Sequence, residues 1–332
     1  MSLEWPADTA AGKEKSPHVW TEMIRKLLTK PIWWWERRRA YSVRSRYHLL
    51  PPLSVDKKPA RFVVLTTPES LKDAMWTAWS WYRYLQPLGY ELQVAVDGQI
   101  AELEIATVRQ LFPGVVIYEV ESSLDFLGDK SPALSTFLKV HPLGKKLGLV
   151  LALSAQGALL YADYDVLAFN TPAEILAYAE RNIACCMVED SAGNFDPKIV
   201  ERCRALGLEC IAGFNSGLLY VPKGALSIDL AAELLAGWSP NHPSWFTEQT
   251  VLSVLMRSAG AQPLPIRRYV VNTRRQFYWD MDIDYAAVVA RHFVTPVRHV
   301  MYKTGIPTIL RQSRMLVDEK RAESSTKHGS RS

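Results

Sequence analysis

Short apolar runs recur along the middle of the chain: FVVLT from 62, YELQVAVDG from 90, VVIYEV from 115, ALLYADYDV from 158, IACCMVE from 183 and GLLYV from 217. Each has the length and the β-branched or aromatic content of a buried strand. Helical patterns separate several of them, at Gln99 to Leu111, Pro172 to Arg181 and Ile228 to Trp238. Thr67-Pro68 supplies an N-cap and N1 pair for a helical stretch reaching Gly89, and Thr247 caps a later helix, Glu248 to Arg257, that Gly260 closes. Strands alternating with helices predict a mostly parallel sheet with helices on both faces. A ligand site in such a fold lies beyond the carboxyl ends of the strands.

With 48% hydrophobic and 22% charged residues in 332, the chain has enough apolar content to bury a large α/β core. The most hydrophobic segment, Leu147 to Ala162, is broken by Ser154, Gln156 and Gly157, so no membrane span is expected. The N-terminal MSLEWPADTAAGKEK lacks the apolar stretch and cleavage site of an export signal, so a cytoplasmic protein is expected. Cys185, Cys186, Cys203 and Cys210 include an adjacent pair and no CxxC spacing, and they read as buried free thiols.

The net charge of +5 is unevenly placed. Residues 1–60 carry 12 Lys/Arg against 6 Asp/Glu, residues 61–312 carry 22 against 25, and residues 313–332 carry 5 against 3. A slightly acidic body argues against nucleic acid as a partner. The division expected is a basic aromatic arm and linker over 1–60, one catalytic domain over 61–312 and a disordered tail over 313–332. The arm joins Trp33, Trp34 and Trp35 to Arg37, Arg38 and Arg39, a combination suited to peripheral contact with an anionic membrane or to a partner, or simply to packing on the body.

The segment richest in chemistry is LLYADYDVLAF, where an apolar strand ends in Asp163-Tyr164-Asp165. Carboxylates at i and i+2 on extended backbone point to the same side, so both can reach one hard divalent cation. The same pattern fits a solvated turn with two surface acids, but the apolar flanks make an acid pair costly without a cation.

Further segments follow in a specific order. FVVLTT opens the body, Lys146-Leu147 precedes the DxD motif, FNSGLLYVP follows it, and Glu248-Gln249 and His292-Phe293 with Arg298 come later. Together they resemble the glycogenin-like retaining glycosyltransferases over residues 62 to about 298. That family has Leu-Thr-Thr on its first strand, Phe-Asn-Ser-Gly after the DxD, an Asp-Gln pair and a late His-Phe-x-Gly-x-x-Lys. Departures are Tyr164 for a small central residue, Glu248 for Asp, Trp245 for an acid, Thr295 for the loop glycine and His299-Val300 for Pro-Trp.

The resemblance implies a GT-A fold, a Rossmann-like mixed, mostly parallel sheet in a single catalytic domain, and a nucleotide-diphosphate sugar as partner. Carried over residue by residue, Leu65, Thr66 and Thr67 line the nucleotide pocket, and Lys146 contacts the donor, unless it is one member of an exposed Lys145-Lys146 pair. Asp163, Asp165 and His292 are the metal ligands, with Tyr164 between the acids and Mn2+ (or Mg2+) as the cofactor; an imidazole among carboxylates suits manganese over calcium, because imidazole favours transition metals. A histidine beside Phe293 also fits a packed core residue. Asn215, Ser216 and Gly217 place an amide against sugar hydroxyls, with Gly217 allowing close approach, or they form a plain bend before GLLYV. Glu248 and Gln249 position the transferring sugar, and Arg298 clamps the diphosphate. The implied reaction moves a hexose from a UDP-sugar to an acceptor hydroxyl with retention. Rival readings are a transferase for another nucleotide sugar, a nucleotidyltransferase, and a nucleotide-sugar-binding module without turnover.

Overall fold

Strand β1 (Ala60–Thr66) carries the FVVLT run and leads through a 3-10 turn at Pro68–Ser70 into helix α1 (Leu71–Leu85). Gly89, at φ 79°, ends the turn that follows, a left-handed geometry favouring glycine. The computed structural model describes residues 41–124, 127, 131–189, 193–241, 244–271 and 283–329. In chain order come β2 (Tyr90–Val96), α2 (Glu102–Leu111), β3 (Val116–Glu119), α3 (Pro132–Val140), α4 (Gly144–Gln156), β4 (Leu159–Asp163), β5 (Val166–Ala168) and α5 (Ala173–Glu180). Then follow β6 (Cys185–Val188), α6 (Pro197–Ala205), β7 (Phe214–Val221), α7 (Ile228–Leu235), α8 (Thr247–Ser258), β8 (Gln262–Pro263), β9 (Tyr269–Val270), β10 (Ala290–His292) and α9 (Ile306–Gly329).

The main sheet has seven strands in the order β3-β2-β1-β4-β7-β6-β8, and β7 runs antiparallel to both of its neighbours while the other pairs are parallel. Apolar clusters cover both faces, one gathered around α1 and the other around α4, α7 and α8. This is the mixed, mostly parallel α/β architecture that the alternating runs require. A second sheet, β5-β10-β9, branches off where the chain leaves β4.

Helices α3 and α6 were not part of the sequence expectation, although both carry start signals. Each has proline in its first turn, after Ser131 and Asp196 respectively, and each of those side chains accepts a backbone N–H of the first turn. Thr247 is not the cap of α8 but its first residue. Its hydroxyl donates to Asp196 and so ties α8 to α6.

Within residues 41–59 Leu50 and Val55 are buried, and the Trp76 and Trp79 indoles donate to the Arg44 and Pro51 carbonyls. Leu53 and Val55 also donate backbone bonds to Leu111 and Pro113. At the other end α9 runs through Gly329, over residues expected to be disordered. Ile306, Ile309 and Leu310 bury its first turns, and the helix formers of RMLVDEKRAE carry it on. Trp33 to Trp35 and Arg37 to Arg39 lie outside the described residues. Cys185, Cys186 and Cys203 are buried free thiols as expected, and Cys210 is half-buried. Among the described residues no helix is long and apolar enough to cross a membrane.

Candidate metal and nucleotide site

Asp163 ends β4 in the main sheet, and Asp165 precedes β5 in the small one. The two carboxylates thus straddle the point where the chain changes sheets. Strand β10 runs antiparallel to β5 with His292 opposite Val166, and the Phe293 N–H donates to the Asp165 carbonyl at 2.8 Å. This pairing carries a late imidazole back to an early acid pair. One ligand atom from each of Asp163, Asp165 and His292 lies within 4.8 Å of the others. His292 Nε2 is 3.1 Å from Asp165 Oδ1 and 3.8 Å from Asp163 Oδ2.

The hydrogen bond at His292 Nδ1 fixes how the ring is turned. Asn215 Oδ1 accepts from the Gly217 N–H at 2.9 Å, and a backbone amide can only donate, so the atom facing it is the amide oxygen. The same oxygen lies 2.8 Å from His292 Nδ1, which must therefore carry hydrogen. Nε2 is the ring nitrogen that faces the acids, and the one a metal would take. Asn215 therefore bonds the imidazole, and a bend alone does not explain it. Gly217 has its own reason: an added Cβ would strike the His292 ring. The close approach expected there is made by His292.

Each carboxylate has a cation. Lys146 Nζ donates to Asp163 Oδ2 and to Ser216 Oγ, both at 2.9 Å, and lies 3.7 Å from Glu248 Oε1. It is only 5% exposed, so the solvated-pair reading fails for it. Lys145, its neighbour, turns the other way to Asp97 and Glu121. Tyr161, which the sequence did not single out, donates to Asp163 Oδ1 at 2.6 Å; its signal was its place two residues earlier on the same side of β4. Arg298 Nη2 donates to Asp165 Oδ2 at 2.6 Å and its guanidinium stacks over the Tyr164 ring at 4.9 Å.

Electrostatics follow from these contacts. Burial pushes the Asp165 carboxyl upward, but His292 and Arg298 outweigh it and hold it down at about 2. For Glu248 burial wins over Lys146, and its carboxyl is pushed up to about 7. Glu248 is 1% exposed, accepts from Ser216 at 3.2 Å through Oε2, and its Oε1 has no hydrogen-bond partner.

The remaining expected residues fall less tightly. β1 is parallel to β4 with Leu65 beside Asp163, so Leu65, Thr66 and Thr67 stand at the same carboxyl edge as the acid pair. Thr67 forms no side-chain cap bond. Gln249 is not part of the cluster, because one residue on α8 rotates it away and its amide donates to the Asn194 carbonyl.

The donor set fits a divalent cation of the oxygen and nitrogen type: two carboxylates, one imidazole with Nε2 facing them, and an asparagine bonded to its other nitrogen. Fold and site together define an α/β protein with a candidate cation centre at a strand-end crevice. No family model and no curated protein sequence matches this chain. Among solved structures it is similar to the galactosyltransferase LgtC in complex with donor and acceptor sugar analogs, at 17% identity and a TM-score of 0.47 over 71% of this chain and 87% of that one. It is also similar to mouse xyloside xylosyltransferase 1 in its apo form, at 11% identity and a TM-score of 0.49 over 74% of this chain and 99% of that one. A third is core-mannan synthase A of Aspergillus fumigatus in its Mn/GDP form, at 12% identity and a TM-score of 0.43, covering 74% and 85%.

Proposed function

We propose that this chain is a metal-dependent glycosyltransferase of the GT-A fold that moves a hexose from a UDP-sugar to an acceptor hydroxyl with retention. The observation that carries the reading is the convergence of Asp163, Asp165 and His292 within 4.8 Å at the carboxyl edge that also holds Leu65, Thr66 and Thr67. Manganese or magnesium held by these three would neutralise charge on the departing diphosphate. Arg298, whose guanidinium already sits at Asp165, presents a planar fork to phosphate oxygens. Lys146 supplies a second positive charge, and Glu248 Oε1, which has no hydrogen bond, lies 3.7 Å from it. Asn215 acts through His292 by holding its ring, while Ser216 links Lys146 to Glu248.

The test is a screen of nucleotide sugars for manganese-dependent consumption of the donor. Release of nucleoside diphosphate supports a glycosyltransferase. Release of pyrophosphate would instead identify a nucleotidyltransferase, and donor binding without turnover a binding module. The Trp/Arg-rich segment before residue 41 is proposed as a peripheral membrane contact. Vesicle co-sedimentation comparing the full chain with residues 41–332 tests it, and equal behaviour of the two would remove the idea. The comparison starts at 41 because residues 41–59 belong to the packed body.

A further inference from the structure

Helix α1 is buried along nearly its whole length, yet it carries Asp73, Thr77, Ser80, Trp81 and Tyr84 at spacings that share one face. All but Asp73 spend polar atoms on the segment that bears the acid pair. Thr77 Oγ1 donates to the Tyr164 carbonyl at 2.7 Å, Trp81 Nε1 to the Val166 carbonyl at 2.8 Å and the Tyr84 hydroxyl to the Phe169 carbonyl at 2.7 Å, while Ser80 Oγ accepts from the Ala168 N–H at 3.0 Å.

The Thr77 bond is unusual for a helical threonine, which ordinarily returns its hydroxyl to the carbonyl four residues back. Thr107, Thr136, Thr250 and Thr304 do so here, to Leu103, Pro132, Phe246 and Val300. Thr77 is fully buried and turns its hydroxyl out of its own helix to a carbonyl 87 residues on. A buried hydroxyl is costly unless bonded, so this one holds its acceptor as much as it is held.

The acceptor matters because of where it lies. The Tyr164 carbonyl belongs to the peptide plane immediately before Asp165, and the plane immediately after it, through the Asp165 carbonyl, is held by the Phe293 N–H. With both planes held, the backbone angles of Asp165 are held, and with them the direction of its Cα–Cβ bond, from which the carboxylate reaches His292 Nε2 and Arg298.

We propose that Thr77 is a positioning residue for the cation site, holding Asp165 in ligating orientation from the opposite side of β10. The proposal rests on the reading of Asp163, Asp165 and His292 as metal ligands given above. The same helix anchors the Arg298 side of the site: Asp73 accepts from the Tyr302 hydroxyl, one turn beyond Arg298, at 3.0 Å and from Arg44 at 2.8 Å. One helix thus sets both partners of the Asp165–Arg298 pair.

The experiment is calorimetric titration of manganese, with UDP present, into wild type, Thr77→Val, Thr77→Ser and Val108→Ala, with melting temperatures for all four. Val108 is a fully buried residue of α2 outside the cation cluster, and its variant controls for loss of stability alone. Thr77→Val keeps the shape and deletes the donor, so manganese should bind on the order of 10-fold more weakly or worse, while Thr77→Ser stays within about twofold of wild type. Val108→Ala should lose melting temperature and keep its manganese affinity. If Thr77→Val does not fold, Thr77→Ala against Thr77→Ser carries the same comparison. Wild-type binding with unchanged affinity in the donor-deleted variant would overturn the positioning role alone. An equal loss in Val108→Ala would also overturn it, by showing that stability is the cause. Wild type that takes up no manganese would overturn both this role and the metal-dependent reading.

Discussion

The two acids of the DYD turn are separated by a single residue and are balanced in opposite ways. Asp163 is served from inside the fold by Tyr161 and by Lys146, which is nearly sealed from solvent and shared with Glu248. Asp165 is served from the late segment by His292 and by the partly accessible Arg298. On the inner half one buried lysine lies between the half-buried Asp163 and the fully buried Glu248, and the acid that is not well paired, Glu248, has its carboxyl driven up to about 7. On the outer half two partners converge on one carboxylate and hold it near 2. The inner half behaves as framework whose charges must be counted against each other. The outer half keeps one carboxylate ionised at neutral pH.

Asp165→Asn attacks the outer half directly, keeping size while removing the charged ligand. Turnover of a nucleotide-sugar donor should fall by orders of magnitude, with manganese affinity falling alongside. Manganese titration with UDP present checks it, and a variant that binds the metal as wild type does would place the site elsewhere. Lys146→Met should show the inner half as framework: removing one partner of a buried ionic cluster costs about 3–5 kcal/mol of stability, read by urea unfolding. A loss below about 1 kcal/mol, the range of a surface pair, would put Lys146 on the solvated side of the comparison.

Arg298→Ala should weaken UDP binding by about 1–3 kcal/mol, the range for a hydrogen bond to a charged group. Unchanged calorimetric affinity would remove Arg298 from the nucleotide site. Glu248→Gln reports on the raised carboxyl. A carboxyl whose pKa is higher folded than unfolded favours folding below the unfolded value, near 4.5, and loses that contribution as pH rises toward the folded value, near 7. The variant should therefore gain stability relative to wild type between pH 5 and pH 8, by about 2–3 kcal/mol, because each tenfold change in proton affinity is worth roughly 1.4 kcal/mol. A stability difference that stays flat over this range would show Glu248 to be ionised throughout. Smallest is Lys145→Ala, which removes the partly exposed pairs to Asp97 and Glu121 and should cost less than about 1 kcal/mol in the same unfolding assay.

Much of this was legible in local residue patterns. Burial of a strand on both faces demands a continuous apolar run, so the runs at 62, 90, 158 and 217 marked β1, β2, β4 and β7 before any coordinate. The period of a strand placed Asp163 and Asp165 on one side, and the order of short motifs brought His292 and Arg298 into consideration. The adjacent lysines show where such reading stops. Lys145 and Lys146 are identical in composition and neighbourhood, and only the packing of α4 against β4 and α8 decides that one is solvated and the other enclosed.

Asn215 was legible as a residue of interest but not in its bond, because that bond depends on β10 returning beside β5 and laying the His292 ring over Gly217. Thr77 was invisible for a similar reason. A threonine in a helix reads as a self-bonded one until the chain beyond β4 is folded across it, since the carbonyl it holds is 87 residues away. Sequence by itself therefore determined most strands of the main sheet, the identity of the acids and the cations available to them, all of which follow from short-range periodicity and side-chain chemistry. The tertiary structure alone decided which cation meets which acid and which ring nitrogen faces them. Those choices are made by contacts between segments distant in sequence, where angstroms of packing set desolvation and hydrogen-bond partners.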